Sequence, residues 1–113
     1  MNEEVKSILG EYLIIDNKKI PVKHLRYAGK EKTYIVWTIL EENPELFGND
    51  EVLSSVGSVD IDVYSDGNLL KIIKKIKKIM LENDYVWTGD SAEMYEDDTN
   101  LNHKTSSFEK EMI

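Results

Sequence analysis

Apolar and polar positions alternate most cleanly from Val59 to Tyr64, with Val59, Ile61 and Val63 on one face and Asp60, Asp62 and Tyr64 on the other. A period of two belongs to a half-buried strand, here beginning at Val52 or Val56. The period then changes. From Asn68 to about Asn83, Leu69, Ile72, Ile73, Ile76, Ile79 and Met80 recur as one stripe, and Lys71, Lys74, Lys75 and Lys78 fall outside it. This predicts an amphipathic helix, with Ser65 or Asp66 as N-cap. An opening helix is read over Asn2 to Leu13 from Val5, Ile8, Leu9, Tyr12 and Leu13, weakened by Gly10. Asp16 to Lys19 reads as a polar turn, and Ile20 to Leu25 as a short strand that Pro21 confines to an edge or to its first residues.

Thr33 to Leu40 is β-branched or aromatic almost throughout and apolar on both faces. One face can pack on helices; the other calls for a second cover, such as another subunit. Glu41 to Asp50, with Pro44 and Gly48, reads as an exposed loop whose exception is the apolar pair Leu46-Phe47. Tyr85 to Thr88 predicts a strand, Glu93 to Thr99 an acidic connection, and Leu101 to Met112 a closing strand. The order favours an α+β fold: a mainly antiparallel sheet of about four to five strands packed by two helices.

With 113 residues the chain suits one domain over residues 1–113. Lys+Arg is 14 against Asp+Glu 22, a net charge of −8, which argues against ordinary phosphate-backbone binding. There is no cysteine, which excludes disulfides, thiolate metal sites and cysteine nucleophiles, and the two histidines, His24 and His103, are too few for an all-histidine zinc cage. No apolar run approaches the roughly 20 residues of a membrane span, and the acidic start does not resemble a secretory leader. The expectation is a soluble protein of the cytoplasm. Charge is also sorted: Asp84 to Ile113 holds eight acids and two lysines, whereas Leu69 to Met80 holds five lysines and no acid.

Candidate chemistry is sparse. Asp60 and Asp62 lie two apart on one strand face, as a two-carboxylate metal or acid–base site needs, but also as the solvent-facing positions of a half-buried strand would. Glu96, Asp97 and Asp98 with His103 suggest a hard-cation site, without the acid spacing of an EF-hand loop; the plainer reading is a solvated turn. Neither His24 nor His103 has a nucleophile at a recognisable spacing. The lysine face of the second helix suits a polyanion or the acidic surface of a neighbouring copy. Core packing is the plain reading for Trp37 and Trp87, although Trp37 also sits on the doubly apolar strand. Phe47 with Leu46 is the better interface anchor.

Two stretches resemble a known family. Ser58 to Met80, Ser-Val-Asp-Ile-Asp-Val-Tyr-Ser-Asp-Gly-Asn followed by the apolar and lysine helix, is similar to the strand–turn–helix unit of tail terminator and tail-completion proteins of long-tailed bacteriophages. Gly89 to Thr99, containing Met-Tyr-Glu-Asp-Asp-Thr, then His103-Lys104 and Phe108, is similar to that family's turn and closing strand. The chain departs from the pattern at Asn102, where an aromatic often precedes the histidine, and at Ser107, where an arginine often precedes the aromatic.

The resemblance implies a phage or prophage structural protein located in the virion tail and assembled in the bacterial cytoplasm. It implies a ring, commonly of six copies, that caps the head-proximal end of the tail tube, with the tube protein and the head connector as partners. DNA would pass through without specific binding, and no catalytic group, metal, cofactor or membrane would be involved. Trp37, Leu46, Phe47, Lys71, Lys74, Lys75 and Lys78 then become interface candidates, and Asp60, Asp62, Glu96, Asp97 and Asp98 candidates for an acidic lumen. Two other readings of the residues stand beside it: an acidic binding module that mimics DNA or blocks a host enzyme, and a metal-dependent hydrolase using Asp60 and Asp62.

Overall fold

The computed structural model describes residues 2–47 and 51–112; the side chains of 41–47, 51–55 and 112 lie outside the description. Helix α1 spans Asn2–Leu9, and the strands β1 Tyr12–Ile15, β2 Lys18–His24, β3 Tyr34–Phe47 and β4 Glu51–Ser65 follow. Helix α2 spans Leu70–Glu82, and β5 Val86–Asp90, β6 Met94–Glu96 and β7 Leu101–Met112 complete the order. One sheet runs β1-β2-β3-β4-β7-β5, with β6 also on β7. The pair β2–β3 is parallel and the other pairs are antiparallel.

The fold remains α+β and the sheet is mainly antiparallel, but the expected four to five strands are wrong: the sheet has seven strands, and the parallel β2–β3 pair makes it mixed. Local backbone chemistry explains the additional strands. Gly10, at φ +70°, ends α1 after Leu9, its N–H bonded to the Lys6 carbonyl at 2.9 Å, so Tyr12 and Leu13 belong to a strand instead. Asp16 and Asn17 both take positive φ, 52° and 65°, which is the type I′ geometry that closes a two-residue hairpin between β1 and β2. Strand β2 is therefore flanked on both sides and is not an edge; its pairing with β3 starts at Val22, one residue beyond Pro21.

The expected loop from Glu41 is strand as far as Phe47, where Pro44 pairs with Ser55 on a ribbon carrying register shifts at Ile39/Glu41 and Glu45/Leu46. Met94–Glu96 pairs with Leu101 to His103, which turns half of the expected acidic connection into β6.

Helix α2 lies close to its predicted place. Its cap is Asn68, whose Oδ1 accepts the Leu70 N–H at 2.8 Å; Ser65 Oγ accepts from Gly67 instead. At the other end Tyr85 N–H bonds Met80 O at 3.0 Å and Asp84 N–H bonds Leu81 O at 3.2 Å around a left-handed Asp84. That is the Schellman arrangement, and it buries Tyr85 against Met80.

Both helices cover one face of the sheet. Val5 and Leu9 of α1 and Leu69, Ile72, Ile73, Ile76 and Met80 at α2 pack on Ile35, Trp37, Val59, Ile61, Val63 and Phe108. Cross-strand register sets this core, with Ile35 opposite Val63, Trp37 opposite Ile61, and Val59 opposite both Ile39 and Phe108. Among the described residues no helix is long and apolar enough to cross a membrane.

Candidate functional site

The sheet face turned away from the helices carries the polar residues of β3, β4 and β7. Since Tyr34 pairs with Tyr64 and Tyr64 with His103, three strands bring these rings into line. They stack. Tyr27–Tyr34, Tyr34–Tyr64 and Tyr64–His103 have centroids 4.4, 4.6 and 4.2 Å apart, with interplanar angles of 26°, 18° and 9°. This ladder supplies the second cover that the doubly apolar β3 calls for, at least for Tyr34. Val36 beside it is 7% exposed.

His103 ends the ladder between two carboxylates. Its Nε2 lies 2.9 Å from Asp62 Oδ1 and its Nδ1 3.2 Å from Glu96 Oε1. A neutral imidazole has one N–H and can donate to one of them; the imidazolium donates to both. Thr105 Oγ1 also donates to Asp62, and Ser107 Oγ donates to Asp60 Oδ1 at 2.6 Å. Burial, then the charges of Asp62 and Glu96, pushes the Tyr64 pKa up to about 12. Burial and the Glu96 charge raise that of Tyr34 as well.

Asp60 and Asp62 thus share a face, as their spacing predicts, but each carboxylate is engaged by side chains of β7. Glu96 joins Asp62 through His103, whereas Asp97 and Asp98 are exposed in the β6–β7 turn. No group of three or more His, Asp or Glu side chains is placed to hold a metal among the described residues. His24 is elsewhere, stacked on Trp37 at 4.2 Å.

The interface candidates separate into three kinds. Trp37 is 3% exposed in the core, so it has no surface to offer a partner; its side of β3 is the one under the helices. The side chains of Leu46 and Phe47 lie outside the described residues, although the backbone places both on the ribbon opposite Val52 and Glu51 rather than in a loop. Lys74, Lys75 and Lys78 are exposed on the outer face of α2, and Lys71 pairs with Asp16 at 2.9 Å. Trp87, expected in the core, is 45% exposed on β5, where its indole N–H bonds Asp90 and Lys77 lies 4.2 Å from its ring centre.

Two ion pairs among the described residues tie the helices to the sheet. Lys77 of α2 meets Asp90 at 2.9 Å, and Lys110 of β7 meets Glu4 of α1. The Lys110 bond lowers the Glu4 pKa against the opposing effect of burial. Tyr85, pushed far up by burial and then by the Glu4 charge, sits beneath Lys110, whose ammonium is 5.1 Å from its ring centre.

The residues that sequence patterning missed are Tyr27 and Tyr34 as ladder members and the Asp62–His103–Glu96 clasp. The alternation places Tyr64 and Asp62 on one face, but only the β4–β7 register brings His103 to them. No protein-family model matches the chain, and no curated protein matches it.

Proposed function

We propose that the chain is a structural subunit of a phage or prophage tail, forming a ring that caps the head-proximal end of the tail tube and joins it to the head connector. The observation that carries this reading is the open outer edge of β3. Strand β2 covers β3 only at Ile35–Trp37, so from Thr38 to Phe47 that edge has no strand partner among the described residues. A long unpaired edge is a template for another chain unless it is blunted, and here Pro44 removes a single donor from it.

Three further features support the reading. The two stretches that carry the family resemblance lie side by side, because β4 pairs with β7 from Ser55 to Ser65, and Asp62 of one touches His103 of the other. Exposed lysines on α2 lie on one side of the sheet and Asp60 and Asp62 on the other, giving two faces of opposite character. The sheet's lateral edges differ, β1 with the free part of β3 on one side and β5 with β6 on the other, as head-to-tail closure into a ring requires. An acidic sheet face turned to the lumen would repel passing DNA.

The test is tube growth. Added to polymerising tube protein of the same phage, the chain should halt elongation and give short tubes at substoichiometric amounts. Tubes that grow to the same length with and without it would refute the reading.

A further inference from the structure

At the end of the sheet where β3 begins and β4 ends, a cleft of about 580 Å³ opens between the β1–β2 hairpin, residues 30–33 and the start of α2. Lys18, Lys19, Lys30, Lys32 and Lys71 line it against the acids Asp16 and Glu31. In a chain of net charge −8 this is a concentrated positive recess, and a concave site focuses the field of its charges.

The same end of the sheet carries the opposite charge at its other lateral edge. Ser65, which lines the cleft, pairs with Asn102, and the β6–β7 turn lies just beyond, with Glu96 opposite Leu101. Cleft and turn therefore stand at the same end of the sheet, the cleft reaching from the β1–β2 hairpin to the end of β4 and the turn joining β6 to β7. The cleft's lining contains no residue of the turn, whose acids Asp97 and Asp98 are exposed instead.

The turn is built to hold its shape. Asn100, at φ 58°, donates its N–H to the Glu96 carbonyl at 2.8 Å, and Tyr95 donates its hydroxyl to Asn100 Oδ1 at 2.8 Å. Glu96 is engaged by His103, while Asp97 and Asp98 are exposed beside Met94 and Tyr95, themselves 46% and 58% exposed. A preorganised acidic tip with apolar shoulders loses little freedom on docking.

We propose that Asp97 and Asp98 of one copy enter the lysine cleft of the next. This rests on the ring reading and names its contact. Identical subunits placed edge to edge bring the β6 side of each against the β1–β2 side of its neighbour, and here those two sides have complementary charge at one end of the sheet. Duplex DNA fits the recess less well, because Asp16 and Glu31 are part of its lining.

The absence of cysteine makes the contact testable by crosslinking. A chain carrying Asp98→Cys and Lys30→Cys should give, on oxidation under assembling conditions, a ladder of disulfide-linked oligomers up to the closed ring. Asp98→Cys alone should give none beyond dimers. Reversing the turn (Asp97→Lys with Asp98→Lys) or the cleft (Lys30→Glu with Lys32→Glu) should weaken assembly by on the order of tenfold or more, and combining the two reversals should restore it. Circular dichroism checks that each variant folds. Rings that form without a ladder and are indifferent to either reversal would overturn this contact while leaving the ring reading intact. A chain that assembles under no condition, tubes included, would overturn both. If the cleft reversal abolishes retention of duplex DNA and leaves assembly unchanged, the cleft is a nucleic-acid surface and the proposal fails.

Discussion

Removing the Asp90 carboxylate should loosen the joint between α2, β5 and β7. Its Oδ2 meets Lys77 at 2.9 Å, and its Oδ1 accepts from Trp87 Nε1 at 2.9 Å and Ser106 Oγ at 2.7 Å. Ser106 is fully buried, so in Asp90→Ala its hydroxyl loses this acceptor out of reach of water, at a cost of about 1–3 kcal/mol. The Lys77 pair is partly screened and adds about 1 kcal/mol at most, while the exposed Trp87 N–H turns to water. The sum is about 3 kcal/mol. With a urea slope of about 1.5 kcal/mol/M, the unfolding midpoint followed by tryptophan fluorescence should fall by about 2 M.

Adding Ser106→Ala removes the orphaned hydroxyl and should recover about 1–2 kcal/mol of that loss. A loss below about 1 kcal/mol, or no recovery in the double variant, would refute the reasoning. The pH dependence gives a second check. Burial raises the Asp90 pKa, but the bonds from Lys77, Ser106 and Trp87 outweigh it and hold it below the ordinary value. A lowered folded-state pKa contributes stability that is complete above the unfolded value, near about 3.9, and is lost as pH falls through the folded value. The gap between the native chain and Asp90→Asn should therefore narrow as pH drops below about 4.

Other sites give independent outcomes. Phe108 is fully buried beneath the helices, so Phe108→Ala should cost about 3–5 kcal/mol in the same urea assay. Gly89 sits at the register shift of β5 with φ +148°, and an added Cβ would meet nothing within 4 Å, so Gly89→Ala should cost about 1–3 kcal/mol through the backbone alone. Asp62→Asn removes one of the charges that raise the Tyr64 pKa to about 12, so ultraviolet difference titration should show a tyrosine ionising at lower pH than in the native chain. An unchanged titration would mean that the Asp62 charge plays no part in the shift.

Periodicity made α2 and the paired core of β4 legible, because both bury one continuous stripe and expose the other. It failed at the start of the chain, where Val5 to Leu13 continues an apolar helical pattern that Gly10 interrupts and an Asp16-Asn17 turn converts into a hairpin. It failed again at Glu41–Phe47, where polar composition and Pro44 resemble a loop while ladder pairing with β4 keeps the backbone extended. Trp37 and Trp87 part for a related reason: composition marks both as core, but register places one under the helices and the other on an edge strand. The aromatic ladder joins residues 27, 34, 64 and 103, and the clasp joins 62, 96 and 103, so both exist only once strand order and register are fixed.

Electron microscopy of tail tubes incubated with the purified chain is the direct test of the proposed ring. One closed ring of identical copies should sit at a single end of each tube, with both ends bare when the chain is left out. Tubes whose ends stay bare at saturating protein, with the chain remaining monomeric, would contradict it.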